Sequence, residues 1–193
     1  DINPENIKGP LSSLSEDGFS DRKFDYMITN PPFGVSWKSE EDFVKQEAKD
    51  SNGRFSVGTP RISDGSFLFL QHLISKMEPS GSRAGIIFNS SPLFSGDAGS
   101  GESEIRKWII ENDWLETIVQ LPDSMFFNTP ITTYIWIITN KKKLQRKGRV
   151  QLIDGSKYFN VMKNSLGSKR KEISEDGINV ILKSYLNFQE NEI

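Results

Sequence analysis

The stretch Phe24-Asp25-Tyr26-Met27-Ile28-Thr29-Asn30-Pro31-Pro32-Phe33-Gly34 decides how the rest of this sequence is read. Its first six residues, apolar at Phe24, Tyr26, Met27 and Ile28, predict a short buried strand over 24–29. The strand must stop at Asn30. Proline offers no N–H to a sheet ladder and its ring is rejected by a helix interior, and two follow in succession. Each proline also pushes the residue before it out of the helical region. The backbone after Asn30 is therefore stiff, and the Asn30 amide and the Phe33 ring stand in nearly fixed relation. Such a turn suits a planar group bearing an amine: the amide and a proline carbonyl accept hydrogen bonds, and the ring offers a stacking face.

The chain around it has 193 residues, enough for one ordinary domain with a real core. Lys and Arg number 24 and Asp and Glu 26, for a net charge of −2, which argues against a globally basic nucleic-acid binder but leaves room for a local basic patch. There is no cysteine and a single histidine. A disulfide, a thiolate or His-rich metal site and a Ser-His-Asp triad are all disfavoured, and no metal is expected. No run approaches a membrane span and no signal peptide is visible, so a cytoplasmic location without a membrane partner is expected. The sequence opens on Asp1 rather than Met, which suggests a fragment of a longer protein.

Outward from the turn, residues 1–22 are polar and turn-rich and read as an irregular lead-in. Residues 37–62 are charged and contain Gly and Ser, with a weak helix near 40–49; a lid and a plain surface insertion are both open readings. Asp64 or Ser63 caps a helix over 65–78 with Leu70, Leu73, Ile74 and Met77 on one face. A buried strand comes next at 83–89, then a glycine-rich loop from Pro92 to Gly101, then a helix over 102–112 capped by Ser100. Strands are expected at 115–121, 132–139 and 149–153. Residues 156–172 read as mostly polar, and a last helix is expected at 174–186. Alternation of strand and helix predicts an α/β fold with a mainly parallel sheet and short crossovers. Ligands of such sheets bind beyond the carboxyl ends of the strands, where the Asn-Pro-Pro-Phe turn lies.

Four stretches carry a resemblance to a known family: FDYMITNPPFGVSW (24–37), RISDGSFLFLQH (61–72), NSSPLFSGDAGSGESEIR (89–106) and LPDSMFFNTPI (121–131). In this order and spacing they resemble the amino-methylating DNA methyltransferases, most closely the modification (M) subunit of type I restriction–modification systems. The resemblance covers roughly residues 20–155. It implies a Rossmann-like methyltransferase fold, of which this chain is the C-terminal half, with an antiparallel strand near the sheet edge. Residues 23–155 would be the partial catalytic domain, and 156–193 a C-terminal polar segment and helix. It further implies S-adenosylmethionine as cofactor, double-stranded DNA as substrate, and specificity and restriction subunits as partners. The implied reaction is N6 methylation of a flipped adenine. Asn30, Pro31, Pro32 and Phe33 would be catalytic, Phe33 would stack on the base, and Phe126, with Phe127 as fallback, would supply a second aromatic. Asn30 and Asp64 would touch the cofactor. The family's glycine-rich cofactor loop precedes its Asn-Pro-Pro-Phe turn, and no Phe-x-Gly-x-Gly pattern precedes Asn30 here. The chain alone is thus expected to bind cofactor poorly and to be inactive by itself.

Other readings stand beside these. Gly99-Ser100-Gly101-Glu102 superficially resembles a nucleotide loop, but no strand leads into it, and a capped loop is the simpler reading. His72 reads as a helix residue with a local hydrogen bond, Asp25 as an organiser of the strand edge, and Trp37 as either a cover for the site or a loop anchor. Lys141-Lys142-Lys143, Arg146, Lys147 and Arg149, like Lys169-Arg170-Lys171, read first as solvated charge and second as phosphate contacts. The alternatives in function are a protein or RNA amide or amino methyltransferase, and a non-catalytic half-domain used in assembly.

Overall fold

The computed structural model describes residues 3–188. Five strands form one sheet: β1 (Tyr26–Thr29), β2 (Arg83–Phe88), β3 (Leu115–Gln120), β4 (Tyr134–Thr139) and β5 (Gln151–Asp154), in the spatial order β1-β2-β4-β3-β5. β1 with β2 and β3 with β5 pair in parallel, whereas β4 runs antiparallel to both its neighbours. Four strands therefore share one direction, and the sheet is mostly parallel as expected. The antiparallel strand, expected near the edge, is the middle one of the five. It enters the sheet by a hairpin connection from β3 and fills the gap between β2 and β3, which a parallel crossover would otherwise have to close.

The helices are α1 (Glu41–Glu47), α2 (Ser66–Ser75), α3 (Ser91–Phe94), α4 (Gly101–Glu111) and α5 (Glu175–Asn187). The weak helix foreseen near 40–49 is present as α1. Ser100 caps α4 through its side chain, which accepts from the Ser103 N–H, and Glu102 and Glu104 sit in the first turn where the helix dipole favours them. Ser174 caps α5 in the same way. The glycine-rich loop also holds one short helical turn, α3, which opens on Ser91-Pro92.

The core lies on one face of the sheet. There α2 and α4 bring Phe67, Leu70, Ile74, Ile105 and Ile109 onto Ala84, Ile86, Phe88, Trp136 and Ile138. Three rings meet edge to face where α2 crosses β2 and β4: Phe67 to Phe88 at 6.2 Å, Phe67 to Trp136 at 6.4 Å and Phe88 to Trp136 at 5.3 Å between centroids. Helix α2 is apolar nearly all round because its outer side is covered as well. Leu14, Trp37, Val44 and Phe55 pack with Leu68 there, so the segment after the double proline is a second layer over α2.

The other face is dressed only in part. α5 covers the β3–β5 end: the Tyr185 hydroxyl donates to Glu116 at 2.7 Å and Gln151 donates to the Ser184 carbonyl. Glu116, 1% exposed, also accepts from Arg83 and faces Arg146. Burial and this bond push the Tyr185 phenol up to about 12. At the β1 end Tyr26 and Ile28 are 79% and 92% exposed. Among the described residues no helix is long and apolar enough to cross a membrane, and no cluster of metal-ligating side chains forms.

The polar segment 156–172 contains a hairpin, β6 (Phe159–Leu166) and β7 (Lys169–Ile173), which forms a separate two-stranded sheet. None of its strand side chains is buried, so its sequence lacks the apolar–polar alternation that marks a strand half sunk in a core.

His72 anchors the lead-in rather than any chemistry. Its Nδ1 lies 2.9 Å from an Arg54 guanidinium nitrogen, which can only donate, so Nδ1 is unprotonated. Arg54 also donates to the carbonyls of Ser13 and Leu14 and pairs with Glu47. Burial and the Arg54 charge push the His72 pKa from 6.5 down to about 4. A folded pKa below the unfolded one means stability that is complete above 6.5 and is lost as pH falls from 6.5 towards 4. Over that range the wild type should lose melting temperature faster than His72→Gln, which keeps an acceptor but cannot titrate; parallel curves would contradict this. Trp136→Ala should cost about 3–5 kcal/mol in urea unfolding, because it empties the ring cluster that three elements share.

Candidate active site

Because β1, β2 and β3 are parallel, their carboxyl ends lie along one edge of the sheet, and each runs into one of the stretches singled out in the sequence. β1 runs into Asn30–Pro31–Pro32–Phe33. There Asn30 and Pro32 are exposed, Pro31 is buried and Phe33 is half-buried. The buried proline seats the turn and leaves the Asn30 amide facing outward. Gly34 has φ +59°, and a Cβ there would have nothing within 4 Å, so glycine is needed for the backbone conformation and not for room.

Past Gly34 the chain is bound to the second stretch. The Gly65 N–H donates to the Val35 carbonyl at 3.0 Å, the Trp37 N–H to the Ile62 carbonyl at 3.1 Å, and the Trp37 indole to the Arg61 carbonyl at 2.9 Å. Trp37, 3% exposed, is thus a loop anchor. Asp64 takes the N–H and hydroxyl of Ser66 on one oxygen and the Ser91 hydroxyl on the other, at 3.1, 2.6 and 2.9 Å, with Arg61 at 3.5 Å. It ties the start of α2 to α3, and at 7% exposure its carboxylate is spent inside the protein. The third stretch closes on the second as well: Glu102 accepts from the Arg61 N–H, and a Cβ on Gly101 would fall 1.9 Å from the Thr59 carbonyl oxygen. The Gly99–Glu102 segment is accordingly a helix cap filled by residues 58–61, with no space for a nucleotide.

The fourth stretch reaches the turn through an aromatic contact. The Phe33 and Phe126 rings meet at 5.8 Å between centroids and 88° between planes. Phe127 is 68% exposed and points elsewhere, its ring lying along the turn at Gly167. Phe33, three residues past Asn30, and Phe126 are therefore brought together, whereas Asp64 and Phe127 are engaged as just described.

Other candidates lie away from this edge. Asp25 is at the amino end of β1, where its carbonyl accepts from the Arg83 N–H. There it lines a cavity of about 220 Å³ with Ser82, Arg83 and Lys141. The basic run after β4 is at that same end and is partly consumed within the fold. Lys142, 7% exposed, bonds Asp113 and the Arg149 carbonyl, and Arg146, 4% exposed, packs on the Tyr185 ring. Ser91 and Arg61, which hold the loops in register, gave no sequence signal beyond lying in the quoted stretches; their partners are 27 and 41 residues away.

Comparison with known proteins gives the same direction throughout. The chain is 28% identical over 180 residues to the type I restriction enzyme MjaIX methylase subunit of Methanocaldococcus jannaschii, covering 93% of this chain and 31% of that protein. It is 34% identical over 142 residues to the HindI methylase subunit of Haemophilus influenzae, covering 74% of this chain and 30% of that one. The crystal structure of a type I restriction-modification methyltransferase subunit from Streptococcus thermophilus superimposes with a TM-score of 0.75 at 26% identity, over 93% of this chain and 35% of that chain. The chain spans about a third of the length of these relatives. The N-6 DNA Methylase family model matches residues 1–193, and the chain belongs to that family.

Proposed function

We propose that this chain carries the base-binding and amine-activating half of an N6-adenine DNA methyltransferase, acting as part of a type I modification subunit. The observation that carries the reading is the meeting of Phe33 with Phe126 beside the exposed Asn30, at the carboxyl ends of parallel strands. Residues 23–155 form the catalytic part, with 1–22 as its lead-in and 156–193 as a C-terminal appendage. Double-stranded DNA is the substrate, and a specificity subunit and a restriction subunit are the partners in the cytoplasm.

The exocyclic amine of adenine is a poor nucleophile because its lone pair is delocalised into the ring. Oxygens placed to accept both amine protons favour a pyramidal nitrogen with a localised pair, and they stabilise the positive charge that grows there during transfer. The Asn30 Oδ1 and the Pro31 carbonyl are the acceptors, held by a turn that needs no rearrangement. A paired adenine cannot reach them, so the base is taken out of the helix and stacks on Phe33. Phe33 and Phe126 stand perpendicular, so a base lying flat on Phe33 meets Phe126 at an angle rather than face to face.

S-adenosylmethionine supplies an electrophilic methyl group when bound. Of the two residues expected to touch it, Asn30 is exposed at the open end of β1, whereas the Asp64 carboxylate, 7% exposed, already accepts from Ser66 and Ser91. Asn30 thus faces both reactants, and bringing amine and methyl to contact distance contributes several kcal/mol by itself.

In the full-length methyltransferase containing this chain, Asn30→Ala should lower kcat on adenine-containing duplex by on the order of a hundredfold to a thousandfold, with DNA binding retained. Methyl transfer measured at wild-type rate in that variant, or transfer to peptide or RNA in preference to DNA, would refute the assignment.

A further inference from the structure

The β6–β7 hairpin contributes almost nothing to the core, yet its turn and the start of β7 are bonded to the loop that carries Phe126. The N–H groups of Arg170 and Lys171 both donate to the Ser124 carbonyl, at 2.9 and 3.2 Å, and the Ser168 N–H donates to the Phe127 carbonyl at 2.8 Å. The Lys171 ammonium lies 3.0 Å from an Asp123 carboxylate oxygen and 4.0 Å over the Phe159 ring. At the hairpin turn Gly167 has φ +61°, and a Cβ there would fall 2.5 Å from the Phe127 carbonyl oxygen. Glycine is required for both reasons.

The loop closes on itself in part, since the Ser124 N–H donates to the Pro130 carbonyl at 3.1 Å and Phe126 bridges Thr129, and the hairpin adds to that hold. Ser124 has φ +56°, a left-handed conformation that an L-residue with a side chain keeps only where its surroundings impose it. Its carbonyl is the one that takes two hairpin N–H groups. Phe126, two residues on, meets Phe33 at the turn. The hairpin in turn is seated by α5. The Ser174 N–H donates to the Tyr158 carbonyl, closing the base of the hairpin, and α5 begins there and docks on the sheet through Tyr185 and Glu116.

We infer that the β6–β7 hairpin is a positioning element for the base-facing loop: it holds Ser124–Phe127 in the conformation that puts Phe126 against Phe33, and Lys171, through Asp123, is the positioning residue. The inference rests on the reading of Phe126 as a contact of the flipped base. It adds that the base-facing aromatic is set from outside the five-stranded sheet, by a segment bonded to its loop.

The test uses the full-length methyltransferase containing this chain and its recognition duplex, with adenine at the target position for turnover and 2-aminopurine there for fluorescence. Lys171→Ala should lower kcat by on the order of tenfold to a hundredfold, the scale of a small displacement of a group in the site. It should also shrink the fluorescence change that reports the unstacked base, with the KM for DNA little altered. Lys171→Arg should recover most of both losses, and so should the exchange Asp123→Lys with Lys171→Asp, which restores the pair in reverse. Wild-type kcat and fluorescence in Lys171→Ala overturn the inference. So does a salt-dependent rise in KM that the exchange does not repair, since Lys171 would then be a phosphate contact. Phe126→Ala, run alongside, separates the two levels. If it leaves the fluorescence change intact, the base-contact reading fails. If it suppresses the change while Lys171→Ala does not, the hairpin inference alone fails. Should Lys171→Ala not fold, Gly167→Ala presses on the same loop at the Phe127 carbonyl and is read by the same two signals.

Discussion

The structure depends on the contact of three rings, Phe67, Phe88 and Trp136, in the layer between α2 and the sheet. They come from α2, from β2 and from the antiparallel β4, so one cluster locks two consecutive elements to a strand from further along the chain. Large aromatic surfaces leaving water give the contact its size, and edge-to-face geometry leaves each ring essentially one seat. Phe88 is the last residue of β2 and Phe67 lies in the first turn of α2. The cluster therefore sits near the carboxyl edge, and by fixing those ends it sets where the loops of the candidate site depart.

From that edge the loops are held by polar groups as well as by burial. Asp64 joins α2 to α3, Glu102 joins α4 to Arg61, and backbone bonds at Val35 and Trp37 tie the turn to residues 62–65. A carboxylate that accepts three hydrogen bonds in a nearly dry place is fixed in position, which suits a support more than a reacting group. The outcome is a rigid Asn-Pro-Pro-Phe turn whose own amide is left unencumbered at the surface. Rigidity is placed around the site and availability at its centre.

Charge is distributed on the same plan. The run after β4 looks in sequence like a solvated or DNA-facing patch, but Lys142 and Arg146 are drawn inward to complete buried carboxylate and carbonyl sites. Glu116 would be very costly to bury alone; with Arg83, Arg146 and Tyr185 around it, it fastens α5 to the back of the sheet. Since α5 comes directly after the β6–β7 hairpin, this buried cluster on one face of the sheet and the base-facing loop at its edge belong to one continuous mechanical path.

Much of this was legible in the chain itself. Double proline after an apolar run dictates a strand that ends in a stiff turn, because ring closure and the missing N–H act locally whatever surrounds them. The helical stripe of α2, the Ser100 cap and the apolar run of β4 are likewise local or periodic signals, and with the double proline they determined the α/β class, the order of the elements and the choice of Asn30 and Phe33, whereas Phe126 was implied by the family resemblance. Other features were decided only by the tertiary structure. The antiparallel strand lies third of five, Asp64 is bonded by a serine 27 residues away, and a polar segment pairs as a hairpin against the Phe126 loop. The physical reason is the same in each case: hydrogen bonds and ion pairs between distant residues leave no periodicity in the chain, and they appear only when packing brings their partners together.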